Sequence, residues 1–156
     1  MIGSSSSQAH VGEIGYGLMG TLHHATPQTY MLGLTFPNFA PRKTPLSDEE
    51  AFEAMKAAVD GGATFWNAGV YYGFGPKGEL LNLELIARFF TKYPELADKV
   101  FLSVKGGFNT KEMAPDGDPE FLRSDVDSIL KALNGKKKLD LFEMGRVDRT
   151  RHIFLL

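Results

Sequence analysis

Residues 47–67 read SDEEAFEAMKAAVDGGATFWN. Ser47-Asp48-Glu49-Glu50 is a capping box: a serine that can accept from the backbone of the fourth residue, and a glutamate that can reach back. Phe52, Met55, Ala58 and Val59 follow at helical spacing. Gly61-Gly62 stops that helix, because glycine tolerates the left-handed backbone that closes one. Ala63–Asn67 is then a short strand. The stretch is a helix, a glycine stop and a strand, and the unit recurs downstream. Glu79–Lys92 carries Leu81, Leu85, Ile86, Phe89 and Phe90 at helical spacing, Pro94 lies just beyond, and Lys99–Val104 follows as a strand. That strand alternates little, which is the pattern of burial on both faces. Asp118-Pro119 supplies an N-cap with proline in the first turn. Phe121, Leu122, Val126, Ile129, Leu130 and Leu133 form a stripe, Asn134-Gly135 closes it, and Leu139–Met144 is a last strand.

Upstream, Val11–Gly20 is apolar and then breaks into glycines, and its first half reads as a strand. Thr21–Pro45 has no period and holds Pro27, Pro37, Pro41 and Pro45. Residues 1–10, with Ser4–Ser7 in a row, read as a disordered tail. Strands alternating with helices define an α/β fold with a parallel sheet. Two architectures satisfy the pattern: a doubly wound sheet and a (β/α)8 barrel.

Composition narrows the function classes. The 156 residues are 43% hydrophobic and 23% charged, as in an ordinary globular domain. The net charge of −2, from 17 basic and 19 acidic side chains, gives no footprint for nucleic acid. With no cysteine, disulfides, thiolate nucleophiles and cysteine-bound zinc are excluded. No run approaches the roughly 18 apolar residues of a membrane span. The first ten residues lack the features of a secretory signal, so a cytoplasmic protein is expected. Lys136-Lys137-Lys138 reads as a solvated turn, and the adjacent His23-His24 pair lacks a third metal ligand nearby. No metal site is expected.

Gly15-Tyr16-Gly17-Leu18-Met19-Gly20 matches a dinucleotide fingerprint, G-x-G-x-x-G. Thr21–Pro27 shows no helical period, however, and no acid occurs between Glu13 and Asp48 to hold a ribose. The glycines read better as a strand-to-loop turn. In a barrel, chemistry comes from residues at the C-terminal ends of strands. Asn67 ends one strand, Tyr72 follows it, and Lys105 ends the next, directly before Gly106-Gly107. A lysine ending an apolar strand needs a partner or a task. Trp66 reads as a core residue.

At these positions the chain resembles the aldo-keto reductase family. Phe65-Trp66-Asn67-Ala68-Gly69-Val70-Tyr71-Tyr72-Gly73 is similar to the family's F-D-T-A-x-x-Y-G, and Leu102-Ser103-Val104-Lys105-Gly106 to its lysine-bearing third strand. Leu139-Asp140-Leu141-Phe142 with Arg146-Val147-Asp148 resembles its D-L-Y-x-x-H-R-x-D. The W-N-A-G variant, and the run from Lys92-Tyr93-Pro94 through Lys99-Val100 with Ser103–Gly107, is similar to the fungal pyridoxal-reductase branch.

The resemblance implies a partial (β/α)8 barrel, about its first four strands and three helices, over residues 11–148. It implies NADPH as cofactor and a small carbonyl substrate, with pyridoxal going to pyridoxine as the specific guess. Tyr72 takes the position of the proton donor and Lys105 that of the lysine hydrogen-bonded to it. Asn67 stands where the family has aspartate. Gly17, Leu18, Met19 and Asn67 are the implied cofactor contacts. Gly145 stands where the family has the histidine that helps hold the carbonyl oxygen, and His10, His23, His24 and His152 all lie elsewhere. Asn67 can accept from the lysine but cannot neutralise it, so the lysine is expected to be more cationic in effect and the tyrosine tuned further down. A whole barrel takes about 250 residues, so a truncated form is expected, with Thr21–Gly33 as an insert and 149–156 as an atypical tail. A non-catalytic half barrel, closing by homodimerisation, stays open as the alternative.

Overall fold

The computed structural model describes residues 9–18, 47–72 and 80–150. Met19, His23-His24, the insert at 21–33 and the tail beyond residue 150 lie outside them. In chain order the elements are β1 (Gly15–Gly17), α1 (Asp48–Asp60), β2 (Phe65–Gly69), α2 (Leu81–Lys92), a 3-10 turn (Pro94–Lys99), β3 (Phe101–Gly106), β4 (Phe108–Asn109), β5 (Ala114–Pro115), α3 (Pro119–Leu133) and β6 (Leu141–Met144). Strands β1, β2, β3 and β6 form one sheet in that order, and every pairing is parallel. The α/β reading and the partial barrel both hold. Among the described residues no helix is long and apolar enough to cross a membrane.

The helix boundaries follow local chemistry. Both halves of the capping box form: Glu50 N donates to Ser47 Oγ at 3.2 Å and Ser47 N to Glu50 Oε2 at 3.0 Å. Asp118 caps α3 by accepting from Glu120 N at 2.9 Å and Phe121 N at 3.4 Å. Asn134 (φ 48°) and Gly135 (φ 67°) take the left-handed conformation that ends it. Only Ile129 and Leu133 of the α3 stripe are fully buried, and Leu130 is half exposed.

Strands β2, β3 and β6 each start two residues later than the run read from the sequence, because the first residues enter as bonded but unladdered backbone. Phe101 N reaches Thr64 O at 2.8 Å, and Asp140 N reaches Leu102 O at 3.0 Å. Strand β1 itself falls in the middle of Val11–Gly20 rather than its first half. Glu13 and Ile14 bend instead, and Ile14 is exposed. The two-residue strands β4 and β5 pair antiparallel and have no sequence period to reveal them.

Side chains alternate across a strand, so the register sorts the sheet into two faces. Trp66, Ala68, Leu102 and Val104 point to the helices and are fully buried. Trp66 packs on Phe89 and Phe90 with ring centroids 5.4 and 5.6 Å apart, and donates Nε1 to Ala63 O at 2.9 Å. It is a core residue, as its sequence context suggested. The opposite face carries Phe65, Asn67, Gly69, Phe101, Ser103, Lys105, Leu141 and Glu143. Phe65 and Phe101 stack at 5.6 Å and 16° at its N-terminal end, and polar groups occupy the C-terminal end.

Lys137 is a correction to the solvated turn. It is buried, with Nζ 2.7 Å from Asp140 Oδ2, while Lys138 stays 81% exposed on its side chain. Asp140 also accepts from Leu102 N at 2.9 Å, so the ion pair fixes the entry of β6 against β3.

Candidate active site

Parallel pairing brings Gly69, Lys105 and Glu143 into one row across β2, β3 and β6. One step toward the N-terminal end, Gly17, Asn67, Ser103 and Leu141 form the next. Lys105 Nζ donates to Asn67 Oδ1, and Asn67 Nδ2 donates to Glu143 Oε1. The same Oε1 accepts from Ser103 Oγ at 3.0 Å and lies 3.7 Å from Lys105 Nζ. Asn67 uses both ends of its amide as a bridge between a cation and an anion, an arrangement its donor–acceptor asymmetry suits.

Glu143 is the functional candidate that sequence reasoning missed. The lysine was expected to lack a neutralising partner because Asn67 stands in an aspartate position. The carboxylate is present, but it arrives from β6, two strands away from Asn67. Its only sequence signal is that it is one of two acids, with Asp140, interrupting the run Leu139–Met144, and nothing local says which lysine it will face.

Tyr72 is placed by the exit of β2. Val70 N donates to Lys105 O at 2.9 Å, which ties the turn to β3, and Tyr72 N reaches Gly69 O at 3.3 Å. The ring then folds back over Gly69, where a Cβ would stand 2.9 Å from Tyr72 Cε1. Glycine at 69 is therefore what lets the phenol lie on the polar face. Lys105 Nζ sits 5.8 Å from the centroid of that ring, within cation–π range. The resemblance implied a hydrogen bond between lysine and phenol. Here the ammonium is held by Asn67 and Glu143 and meets the ring instead of the hydroxyl.

The implied cofactor contacts divide. Gly17 is exposed on the polar face, and no described residue lies within 4 Å of where its Cβ would be. Leu18 is fully buried in the core, and its carbonyl accepts from Asn82 Nδ2 at 3.2 Å. Met19 is outside the described residues.

A parallel βα sheet with a lysine, a carboxylate and a phenol gathered at the C-terminal ends of its strands has its polar groups where βα barrels carry their active sites. Comparison with known proteins agrees: residues 32–155 match the Aldo/keto reductase family, and the chain belongs to it. It is 46% identical over 138 residues to a protein named probable pyridoxal reductase 2 of Schizosaccharomyces pombe, covering 88% of this chain and 35% of that protein. A candidate pyridoxal reductase of Saccharomyces cerevisiae is 33% identical over 112 residues, covering 69% of this chain and 31% of that one. The chain thus spans about a third of the length of these curated relatives. In fold it is similar to the holo form of an aldo-keto reductase from Bacillus halodurans, with a TM-score of 0.59 at 16% identity, over 89% of this chain and 37% of that one.

Proposed function

We propose that this chain carries the proton-donating site of an NADPH-dependent reductase that converts an aldehyde to an alcohol, with pyridoxal as the substrate. The observation that carries the reading is the Lys105 ammonium, held by Asn67 and Glu143 over the ring of Tyr72 at the strand ends. Gly17 and Asn67, neighbours across β1 and β2, would hold the nicotinamide end. When bound, that group supplies the hydride that the carbonyl carbon accepts.

As the carbon–oxygen double bond opens, its electron pair moves onto oxygen and negative charge develops there. Tyr72 donates its phenolic proton to that oxygen, so the product leaves as a neutral alcohol. The phenolate left behind faces Lys105, whose cation stabilises it. Asn67 and Glu143 hold the ammonium in place, so little reorganisation is needed as charge moves. The aromatic floor of Phe65 and Phe101, stacked at 5.6 Å on the same face, gives the site an apolar base.

The test is oxidation of NADPH by the chain in the presence of pyridoxal, followed by absorbance, with Tyr72→Phe as the control. The expected result is turnover that the control lacks. Turnover equal in both, or none in the chain as given, would sink the reading. NADPH binding without turnover would favour a non-catalytic chain.

A further inference from the structure

We infer that Tyr71 is a second hydroxyl of this site, donating to the same carbonyl oxygen that Tyr72 protonates; the inference rests on the reading of the site as a carbonyl reductase. Gly145 follows β6 and is held by its N–H to Gly106 O at 2.9 Å. A Cβ on Gly145 would stand 2.1 Å from Tyr71 Oη and 3.2 Å from its Cζ. The Tyr71 hydroxyl thus fills the volume that any side chain at 145 would need. That is the position where the sequence resemblance puts a carbonyl-holding histidine and this chain has none.

The hydroxyl is fixed rather than free-swinging. Its ring meets Tyr72 edge-on, with centroids 5.5 Å apart and planes at 85°, and packs on Phe108 at 5.6 Å. The two phenols are therefore neighbours, one reaching over the end of β2 and the other to the end of β6. Among the described residues the Tyr71 hydroxyl makes no hydrogen bond. A half-buried hydroxyl with no hydrogen-bond partner among the described residues is able to donate to a bound acceptor. A carbonyl oxygen has two lone pairs, and Tyr72 uses one.

Tyr71 also keeps its proton. Burial pushes its phenol up to about 12, Tyr72, Glu143 and Asp125 push the same way, and Arg146 pulls back. At neutral pH it keeps its proton and can share it in a hydrogen bond without giving it up. The division of labour is one phenol that transfers a proton and one that orients the oxygen.

The experiment compares the chain with Tyr71→Phe, Gly145→His and the Tyr71→Phe/Gly145→His double variant, using pyridoxal and NADPH. Tyr71→Phe is expected to lower kcat about 10²- to 10³-fold, a loss of the size seen for one oxyanion donor, with a smaller change in KM. The double variant should recover at least about tenfold of that, because the imidazole then occupies the vacated space. Gly145→His alone should be worse than the double variant, since Tyr71 blocks it. A Tyr71→Phe variant with unchanged kcat and KM overturns the inference while leaving the reductase reading intact. So does a folded double variant without recovery. If the parent chain does not turn over, the reading falls and the inference with it. Thermal melting provides the arm that needs no turnover. Gly145→Ala should lower Tm in the parent and lower it less in Tyr71→Phe, whereas equal losses in both overturn the packing on which the inference stands.

Discussion

Two lysine–carboxylate pairs sit at opposite ends of β6, and they are built for different work. At its N-terminal end Lys137 and Asp140 meet at 2.7 Å with side chains only 4% and 14% exposed. Asp140 spends its remaining capacity on Leu102 N and on Lys138 Nζ at 3.7 Å. At the C-terminal end Lys105 and Glu143 stand 3.7 Å apart, 29% and 36% exposed, with Asn67 bridging them. The first pair is closed and satisfied, a clamp between strands. The second is bridged rather than closed, more exposed to solvent and set beside a phenol. Parallel βα sheets commonly divide this way, with stability at the bottom of the strands and chemistry at the top.

The sharpest way to break the comparison is to remove one function from each end. Tyr72→Phe at the top should lower kcat by about 10²–10⁴-fold, the usual worth of a positioned general acid, while Tm stays near that of the parent. Steady-state rates and a melting curve on the same sample check both halves, and a large Tm loss would mean that Tyr72 is structural. Asp140→Ala at the bottom should do the reverse. It strands Lys137 as a buried cation, which costs about 3–5 kcal/mol, readable by urea denaturation. A loss below about 1 kcal/mol would show that the clamp carries no more than a surface pair.

The open pair can be tuned as well as broken. Glu143→Gln removes the anion beside Lys105, so the cation acts on Tyr72 undiminished. The basic limb of the kcat pH profile should move to lower pH. Asn67→Asp adds a second carboxylate to the same cation and should move that limb the other way. Opposite movements distinguish an electrostatic role from a steric one. Limbs that do not move, or that move together, would remove Glu143 from the account.

Much of the fold was readable because its signals are local. The capping box at Ser47–Glu50, the Asp118-Pro119 start and the Asn134-Gly135 stop each depend on residues a few positions apart, and each forms as read. Lys105 and Tyr72 stood out because a lysine and a tyrosine at strand ends are conspicuous there. Glu143 and the pairing of Tyr71 with Gly145 were not legible. Glu143 meets Asn67 across 76 positions of chain, and only the parallel register brings it opposite Lys105. Lys137 misled for the same reason. A run of three lysines looks solvated until the entry of β6 closes Asp140 over the middle one.

The helical side of the sheet offers the mildest test, at the join between α1 and α2. Arg88 grips Asp48 with two bonds, Nε to Oδ2 at 2.6 Å and Nη2 to Oδ1 at 2.8 Å, and both side chains are substantially exposed. The hydrogen bond from Arg88 holds the Asp48 carboxyl below the ordinary carboxylate value, against the opposing pull of burial. A carboxyl depressed in the folded state contributes stability above its unfolded value of about 3.9, and the contribution is lost as pH falls through the folded value. Because solvent screens an exposed pair, Arg88→Ala should cost only about 0.5 kcal/mol at neutral pH. In a chain of this size that is a Tm difference of about 1–2 °C. The difference should shrink toward zero in acid, once Asp48 is protonated in both states, and should also shrink in high salt. Melting curves of the parent and the variant at neutral and acid pH decide it. A difference that persists undiminished in acid would mean that Arg88 supports α2 through its aliphatic stem rather than through its charge.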